Sequence, residues 1–217
     1  MKKYTCLFDL DGVILDTEGQ YSFFWNEIGK KYFNDENFGL LIKGQTLSEI
    51  FLTHFSDFKN DKQNYFVQTN IKKELNIFES NMDFPFIKGA IEFINELKSF
   101  DCNVAIVTSS NLHKMKNVYK KCPQINDLFP VILTSENFSK SKPNPECYLL
   151  GEKKFNAKTK DCFVFEDSFH GLASGRAAKM TVIGLATTNS YEKIFHLSDF
   201  VINDFSEINM EKLSKIK

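Results

Sequence analysis

Short apolar runs alternate with stretches of helical periodicity along most of the chain. The runs are bounded by polar residues and predict buried strands. They are found at 6–8, 102–107, 131–133, 162–165, 181–185 and 200–202. Between them, apolar residues recur at helical spacing, as in Ile87, Ile91, Ile94 and Leu97. Regular alternation of helices with buried strands predicts a parallel sheet covered on both faces, with ligands at the carboxyl ends of the strands.

Residues 17–83 carry helical patterns only. Apolar residues recur at helical spacing within 21–32 and again within 67–78. Between these stretches, Thr46 and Glu49 have the spacing of a capping box, in which a hydroxyl and a carboxylate satisfy free N–H groups at a helix start. The predicted class is therefore α/β, with a Rossmann-like parallel-sheet core and an inserted all-α cap. The core comprises residues 1–16 and 84–217, and the cap comprises residues 17–83.

The composition indicates a globular protein with no nucleic-acid or membrane partner. Of the 217 residues, 42% are hydrophobic, enough for a sizeable interior, and the formal net charge is −1 with both signs evenly mixed. No apolar window approaches the length of a membrane-spanning helix. The five cysteines form no C-x-x-C pair, which favours a reducing compartment. We therefore expect the protein in the cytoplasm.

Two carboxylates directly follow the first predicted strand. Because residues two apart in an extended chain point to the same side, Asp9 and Asp11 are expected to project together, and Gly12 lets the backbone turn sharply beside them. Two acids on one side of a strand end repel each other unless a cation lies between them. The alternative is an ordinary surface turn, since Asp-Gly is a common turn pair.

Polar residues also follow the other predicted strands. Each cluster has an ordinary explanation by itself: a helix cap for Ser110 or Asn111, a solvated loop around Lys142, and an acidic loop for Glu166 and Asp167. Because the carboxyl ends of parallel strands share one edge of the sheet, the clusters together provide acids for a divalent cation and hydroxyls plus a lysine for an anion. The residues concerned are Asp9, Asp11, Thr108, Ser109, Ser110, Lys142, Glu166 and Asp167.

This set of groups fits phosphoryl transfer. Carboxylate oxygens suit Mg²⁺, which usually takes one or two carboxylates together with phosphate oxygens and water, so phosphate is the expected anion. Once the metal, Lys142 and strand-end N–H groups neutralise the phosphoryl oxygens, the carboxylate of Asp9 could attack phosphorus. Asp11 could give a proton to the leaving oxygen and later take one from the attacking water.

Four motifs in this order resemble those of the haloacid dehalogenase superfamily. They are D-L-D-G-V from Asp9, T-S-S from Thr108, K-P-N-P from Lys142 and E-D-S from Glu166. The helical insert after the first motif is similar to the cap of the β-phosphoglucomutase-like branch of that superfamily. The resemblance covers nearly the whole chain and implies an aspartyl-phosphate mechanism in a capped enzyme, for which we expect a monomer.

The resemblance also implies roles for the charged residues. Asp9 is the nucleophile, and Asp11 is the general acid and base. Mg²⁺ is held by the Asp9 side chain, the Asp11 backbone carbonyl and Asp167, with Glu166 in or near the coordination shell. Lys142 neutralises the charge of the phosphoryl group.

Phosphate and substrate contacts follow from the same resemblance. Thr108 and the backbone of Ser109 bind the phosphoryl group, with Ser110 beside them. Candidates to face the rest of the substrate are Lys43, Gln45 and Trp25. Alternatives remain for two of these, because Lys43 could be solvated and Trp25 lies in an apolar stripe that favours the core.

Two features restrict the class of reaction: Asp11 and the segment 43–47, which we term the cap loop. Superfamily members that displace halide or cleave phosphonates lack an Asp at the position of Asp11, so its presence favours phosphate esters. Sugar phosphomutases of this branch carry K-G-x-S-R in the cap loop, whereas here Leu47 takes the place of the arginine. Leucine cannot replace the bidentate grip of arginine on a second phosphate. We therefore predict a phosphatase for a small phosphorylated metabolite such as a sugar phosphate. The alternatives are a sugar phosphomutase and, from another class, a non-catalytic phosphate-binding module.

Overall fold

The structure, a computed structural model, describes residues 3–56 and 60–216. The predicted core and cap ranges also include residues 1–2, 57–59 and 217, which lie outside the described residues.

Six parallel strands form one sheet. They are β1 (Thr5–Phe8), β2 (Asn103–Val107), β3 (Val131–Leu133), β4 (Cys162–Glu166), β5 (Thr181–Leu185) and β6 (Phe200–Ile202). Their order across the sheet is β3-β2-β1-β4-β5-β6, so β1 lies between β2 and β4. Each predicted strand is present, and the predicted Rossmann-like α/β class is confirmed.

Eleven α-helices lie in the part of the chain that the structure describes. They are α1 (Glu18–Phe33), α2 (Phe38–Leu41), α3 (Leu47–His54), α4 (Asp61–Asn81), α5 (Ala90–Ser99), α6 (Leu112–Lys121), α7 (Gln124–Leu128), α8 (Glu146–Lys154), α9 (Phe169–Ala177), α10 (Tyr191–Ile194) and α11 (Met210–Lys215). Single 3₁₀ turns occur at Ser135–Asn137, Thr159–Asp161, Phe195–Leu197 and Phe205–Glu207.

Helices cover both faces of the sheet. Because successive residues of a strand point to opposite faces, Phe8 packs in one apolar cluster and Leu7 in another. Helices α5, α6, α7 and α11 contribute to the cluster around Phe8, and α8, α9 and α10 contribute to the cluster around Leu7. Phe8 also stacks on Phe165 of β4, with ring centroids 4.4 Å apart. Packing on both faces thus fixes the end of β1 and the residue that follows it, Asp9.

Helices α1 to α4 enclose an apolar cluster of their own, which includes Trp25, Phe38 and Ile71. The chain passes from β1 towards these helices near Leu15 and returns at Phe86, and these two residues form an isolated bridge. The helices agree with an all-α insert. The exact division into core and cap stays a prediction.

The helices differ from the predicted pattern in two respects. The periodicity does not predict α2, α7, α10 or α11, because each is too short to show a clear helical repeat. Helix α5 begins at Ala90, although the apolar pattern begins at Ile87. The reason is Gly89, whose φ of +78° is incompatible with a right-handed helix. The helix cap predicted at Thr46 is confirmed, since the Thr46 side chain accepts a hydrogen bond from the Glu49 N–H at 3.3 Å.

None of the helices in the described ranges combines the length and the apolar character required to cross a bilayer.

Candidate active site

The carboxyl ends of β1, β2 and β4 meet at one place. Phe8 pairs in parallel register with Ile106 of β2 and Phe165 of β4. The register continues beyond the strand, because the N–H of Asp9 donates to the carbonyl of Phe165 at 3.0 Å. The polar residues that follow these strands therefore lie side by side, as the fold class predicts.

Three buried acids form a candidate metal centre. One carboxylate oxygen from each of Asp9, Glu166 and Asp167 lies within 4.8 Å of the others. Asp167 Oδ2 is buried and has no hydrogen-bond partner among residues 3–56 and 60–216. Gly12 leaves space beside that oxygen, since a Cβ at its position would lie only 2.3 Å away. Several carboxylate oxygens close to one buried oxygen without a hydrogen-bond partner fit a hard divalent cation such as Mg²⁺.

The protonation of these acids supports the same interpretation. Burial raises the pKa of Asp9 from 3.8 to about 8; Lys142 opposes this shift, and the charges of Glu166 and Asp11 add to it. Burial is likewise the largest cause that raises the pKa of Asp167 well above its ordinary value, followed by the charge of Glu18. The carboxylates resist ionisation because their charges are crowded in a dry site. A bound cation would relieve that crowding.

Lys142 lies behind the nucleophile candidate. Lys142 is 1% exposed. Its Nζ donates to Asp9 Oδ1 and Glu166 Oε1, both at 2.6 Å, and to the Val107 carbonyl at 3.2 Å. Burial alone would lower the pKa of Lys142, but the two carboxylates outweigh it and raise the pKa above its ordinary value. The ammonium is therefore a fixed positive charge at the end of β1.

Glu166 holds this network in place. Its Oε1 accepts from Lys142 and from the Tyr148 hydroxyl at 2.7 Å. Its Oε2 accepts from the N–H groups of Asp167 and Ser168 and from the Ser168 hydroxyl. A Cβ at Gly171 would lie 1.9 Å from this carboxylate, so α9 can approach Glu166 only through a glycine. Both oxygens of Glu166 are thus already engaged by protein donors.

Asp11 turns towards a different set of donors. Its carboxylate accepts from the hydroxyls of Thr17 at 2.5 Å and Ser110 at 2.9 Å, and it forms an ion pair with Lys114. Burial would raise the pKa of Asp11, but the charge of Lys114 and these hydrogen bonds outweigh burial and lower it. Asp11 therefore lies beside Asp9 along the chain but belongs to a separate hydrogen-bond network.

The T-S-S segment lies between these two networks. Thr108 is 1% exposed, and its Oγ1 accepts from the Ser110 N–H at 3.0 Å. Ser109 directs its hydroxyl to the Gly44 carbonyl of the cap loop at 2.8 Å, so its side chain contacts the cap loop while its backbone stays at the strand end.

A cavity of about 790 Å³, its open mouth included, extends from these groups towards the helices of the insert. We term its two sides the core wall, which carries Asp9, Thr108 and Asp167, and the cap wall, which carries Glu18, Lys43, Gln45 and Glu79. All of the predicted phosphate- and substrate-binding residues except Lys142 line the cavity, and Lys142 contacts Asp9 from behind.

The candidate residues of the cap are placed as follows. Lys43 is not solvated, because its Nζ lies 2.6 Å from Glu18 Oε2 and only 11% of its side chain is exposed. Gln45 donates weakly to the Leu41 carbonyl at 3.5 Å. Trp25 packs in the apolar cluster of the helices and also lines the cavity, so both interpretations of it hold. The ring of His170 contacts the Lys43 carbonyl at 2.8 Å.

Sequence reasoning missed several polar residues of the cavity. Lys114 lies in the first turn of α6, three residues after the helix cap Asn111, and is buried there. Glu79 continues the four-residue spacing of Val67, Ile71 and Leu75, so an acid within an apolar stripe was the available signal. Glu18 and Tyr21, which also line the cavity, were missed as well. Outside the lining, so were Thr17 and Tyr148, which donate to Asp11 and Glu166.

Comparisons with known proteins agree with this geometry. A sequence model of the family described as "Haloacid dehalogenase-like hydrolase" matches residues 6–185. The bifunctional riboflavin kinase/FMN phosphatase of Arabidopsis thaliana is 29% identical over 95% of this chain, which spans only 54% of the length of that relative. Validoxylamine A 7'-phosphate phosphatase of Streptomyces hygroscopicus subsp. limoneus is 23% identical, with 93% of this chain and 94% of the relative covered.

A solved structure shows the same fold. The family IA, variant 3 hydrolase from Entamoeba histolytica superposes with a TM-score of 0.82 at 23% identity, and 98% of each chain is covered. At this level of identity the similarity concerns the fold alone.

Proposed function

The chain belongs to the haloacid dehalogenase-like hydrolases, and on that basis we propose that it is a Mg²⁺-dependent phosphatase of a small phosphorylated metabolite. The observation that carries the proposal is the position of Asp9. Its carboxylate faces the cavity between a buried ammonium and two further acids. Both named phosphatases to which the chain is similar support the same reaction class.

In the proposed first step, a carboxylate oxygen of Asp9 attacks phosphorus and the bond from phosphorus to the ester oxygen breaks. Asp11 supplies the proton that the leaving alcohol needs. The pKa of Asp11 is lowered by Lys114 while the cavity is free of phosphate. A bound phosphoryl group brings negative charge towards this carboxyl group and so favours its protonated form.

In the second step, water attacks the phosphorus of the aspartyl-phosphate and the bond to Asp9 breaks. Asp11, now ionised, takes the proton from the water, and inorganic phosphate is released. Lys142 stays charged in both steps and neutralises the phosphoryl oxygens.

Asp9, Asp167 and the backbone carbonyl of Asp11 are the proposed holders of Mg²⁺. When bound, the ion would reduce the negative charge of the phosphoryl oxygens and so lower the barrier for attack by an anion. We place Glu166 beside this shell as an orienting group, because its carboxylate already accepts five hydrogen bonds. Thr108, Ser110 and the backbone of Ser109 are the proposed donors to the phosphoryl group.

A phosphomutase needs a cationic site for a second phosphate, and the cavity argues against one. Leu47 lines the cavity where the mutase arginine is expected. The sequence contains a single arginine, Arg176, which pairs with Asp199 at 2.6 Å. We therefore rank the mutase second. We also propose a cytoplasmic monomer that acts on free small molecules.

The proposal is tested by phosphate release from p-nitrophenyl phosphate and from a panel of metabolite monophosphates. We expect release with Mg²⁺ and its loss with EDTA. Absence of release from every ester would support a non-catalytic phosphate-binding module instead. Efficient conversion of hexose 1-phosphate to 6-phosphate, primed by a bisphosphate, would support the mutase.

A further inference from the structure

The cap wall of the cavity presents hydrogen-bond acceptors to the alcohol half of a bound ester. Glu79 projects from α4 and is 4% exposed. The hydroxyl of Tyr21 on α1 donates to Glu79 Oε1 at 2.9 Å and so fixes the carboxylate at the cavity. A buried carboxylate held by a single neutral donor keeps the capacity to accept further hydrogen bonds.

One more acceptor of this wall lacks a partner. Gln45 Oε1 is buried and has no hydrogen-bond partner within residues 3–56 and 60–216. Buried polar atoms are normally satisfied, so this oxygen indicates a donor that a ligand brings. Glu18 Oε2 forms an ion pair with Lys43 at 2.6 Å, and a carboxylate has several lone pairs, so Glu18 can also accept from a ligand.

The cations at the cavity are already paired. Lys43 pairs with Glu18, and Lys114 forms an ion pair with Asp11 while its Nζ lies 4.2 Å above the ring of Tyr21. These two are the only lysines in the cavity lining described by the structure, and that lining contains no arginine. A second anionic group on a substrate would therefore lie near Glu79 and find no unpaired lysine to neutralise its charge.

Apolar side chains complete the cap wall. Trp25, Ile42, Ile50 and Leu75 line the cavity around these acceptors. Such surfaces pack against the C–H groups of a carbon skeleton, while the oxygens among them fix its hydroxyls.

We propose that the substrate is the monophosphate of a neutral, polyhydroxylated alcohol, and that Glu79 is the residue that selects for it. This inference rests on the proposed phosphatase function. Hydroxyl groups of the alcohol half donate to Glu79, Gln45 and Glu18. A carboxylate or a second phosphate on that half is rejected, because it repels Glu79 in a water-poor pocket and finds no cation.

The first test compares esters that share one carbon skeleton. Glucose 6-phosphate is neutral beyond its phosphate, 6-phosphogluconate adds a carboxylate, and glucose 1,6-bisphosphate adds a second phosphate. We expect kcat/KM for the neutral ester to exceed both others by at least about tenfold, since an unpaired buried charge is rejected strongly. Equal or higher kcat/KM for either anionic ester overturns the proposal.

The second test changes the selecting residue. Glu79→Gln keeps the shape and removes the charge, so the preference for the neutral ester is expected to fall about fivefold or more. Tyr21→Phe removes only the hydroxyl that orients Glu79 and is expected to lower the preference in the same direction. The matched control is Glu74→Gln on the same helix, because Glu74 pairs with the exposed Lys31 outside the cavity. Unchanged preference in folded Glu79→Gln and Tyr21→Phe proteins contradicts the inference.

Failure of this inference can be told apart from failure of the proposed function. Release of phosphate from p-nitrophenyl phosphate by the wild-type protein, combined with a preference for an anionic ester, overturns only the substrate class. No release from any ester in the presence of Mg²⁺ overturns both.

Discussion

The two walls of the cavity hold their charges differently. On the core side, Lys142 is fully enclosed and lies 2.6 Å from both Asp9 and Glu166. On the cap wall, Lys43 and Glu18 form a single ion pair, 2.6 Å apart. A network of several buried charges is rigid, because movement of one member leaves the others as uncompensated buried charges. Rearrangement of a single pair disturbs only one partner, which a ligand group can replace. The core side therefore suits fixed chemistry, and the cap wall suits recognition of one substrate among many.

The largest effect is expected from Asp9→Asn. The amide is a poor nucleophile, so kcat should fall by about a thousandfold or more. The fold should persist, because the substitution removes one charge from a crowded group of buried acids. Phosphate release and thermal unfolding of the same preparation check both statements. Asp83→Asn, an exposed site outside the cavity, is the matched control. A folded Asp9→Asn protein that keeps a tenth of the activity would refute the nucleophile assignment.

The contrast between the walls also explains what could be predicted from the sequence. Asp9, Thr108 and Asp167 directly follow or end neighbouring strands, so an apolar run and the order of parallel strands suffice to bring them together. Glu79 and Tyr21 meet only because two helices pack in one particular rotation. That rotation depends on the packing of side chains from all four helices of the insert, and no local spacing encodes it.

Lys114 shows the same limit within the core. The helix cap at Asn111 predicts where α6 begins, and the structure confirms that cap with a bond of 2.9 Å to the Lys114 N–H. Nothing in the local pattern shows that the long side chain bends back to Asp11 instead of extending into water.

The substitution Lys142→Met also tests the buried network on the core side. Removal of the ammonium leaves Asp9 and Glu166 as adjacent buried carboxylates without their counter-ion. We expect a loss of about 3–5 kcal/mol in the free energy of unfolding, as for other buried pairs that lose one partner. The kcat should fall by about a hundredfold in the protein that remains folded. Denaturant unfolding and phosphate release measure the two effects.

Lys140→Met, two residues earlier and exposed, is the control for Lys142→Met. Equal stability of the two variants would show that the enclosed network does not depend on its cation.

Lys114→Met probes the boundary between the walls. The methionine can keep the packing on Tyr21, but it loses the ion pair that holds Asp11. We expect about a tenfold lower kcat, in the range typical of a disturbed general acid and base. Lys116→Met, exposed on the same helix, should retain wild-type activity. An unchanged kcat in Lys114→Met would mean that Thr17 and Ser110 position Asp11 without the lysine.

The smallest effect, a change of a few degrees in Tm, comes from the acids of the candidate metal centre. In the folded protein without metal, the pKa of Asp9 is about 8 instead of 3.8. Because the folded value is raised, protonation of Asp9 stabilises the metal-free fold fully below pH 4, and this stabilisation is lost as the pH rises to 8. Binding of Mg²⁺ requires the ionised carboxylate, so stabilisation by Mg²⁺ has the opposite pH dependence.

The Tm difference between samples with Mg²⁺ and with EDTA should therefore be larger at pH 8.5 than at pH 6. Each proton that Mg²⁺ displaces changes the free energy of stabilisation by Mg²⁺ by up to about 1.4 kcal/mol per pH unit. For a chain of this size, 1 kcal/mol of stabilisation corresponds to a shift in Tm of about 2–4 °C. Asp167, whose pKa is also raised, still titrates in Asp9→Asn, so this variant should weaken the dependence, whereas Asp83→Asn should preserve it. A difference that stays constant or shrinks with rising pH would contradict binding of the cation by ionised Asp9, and it would remove the reason for the crowding of acids on the core side.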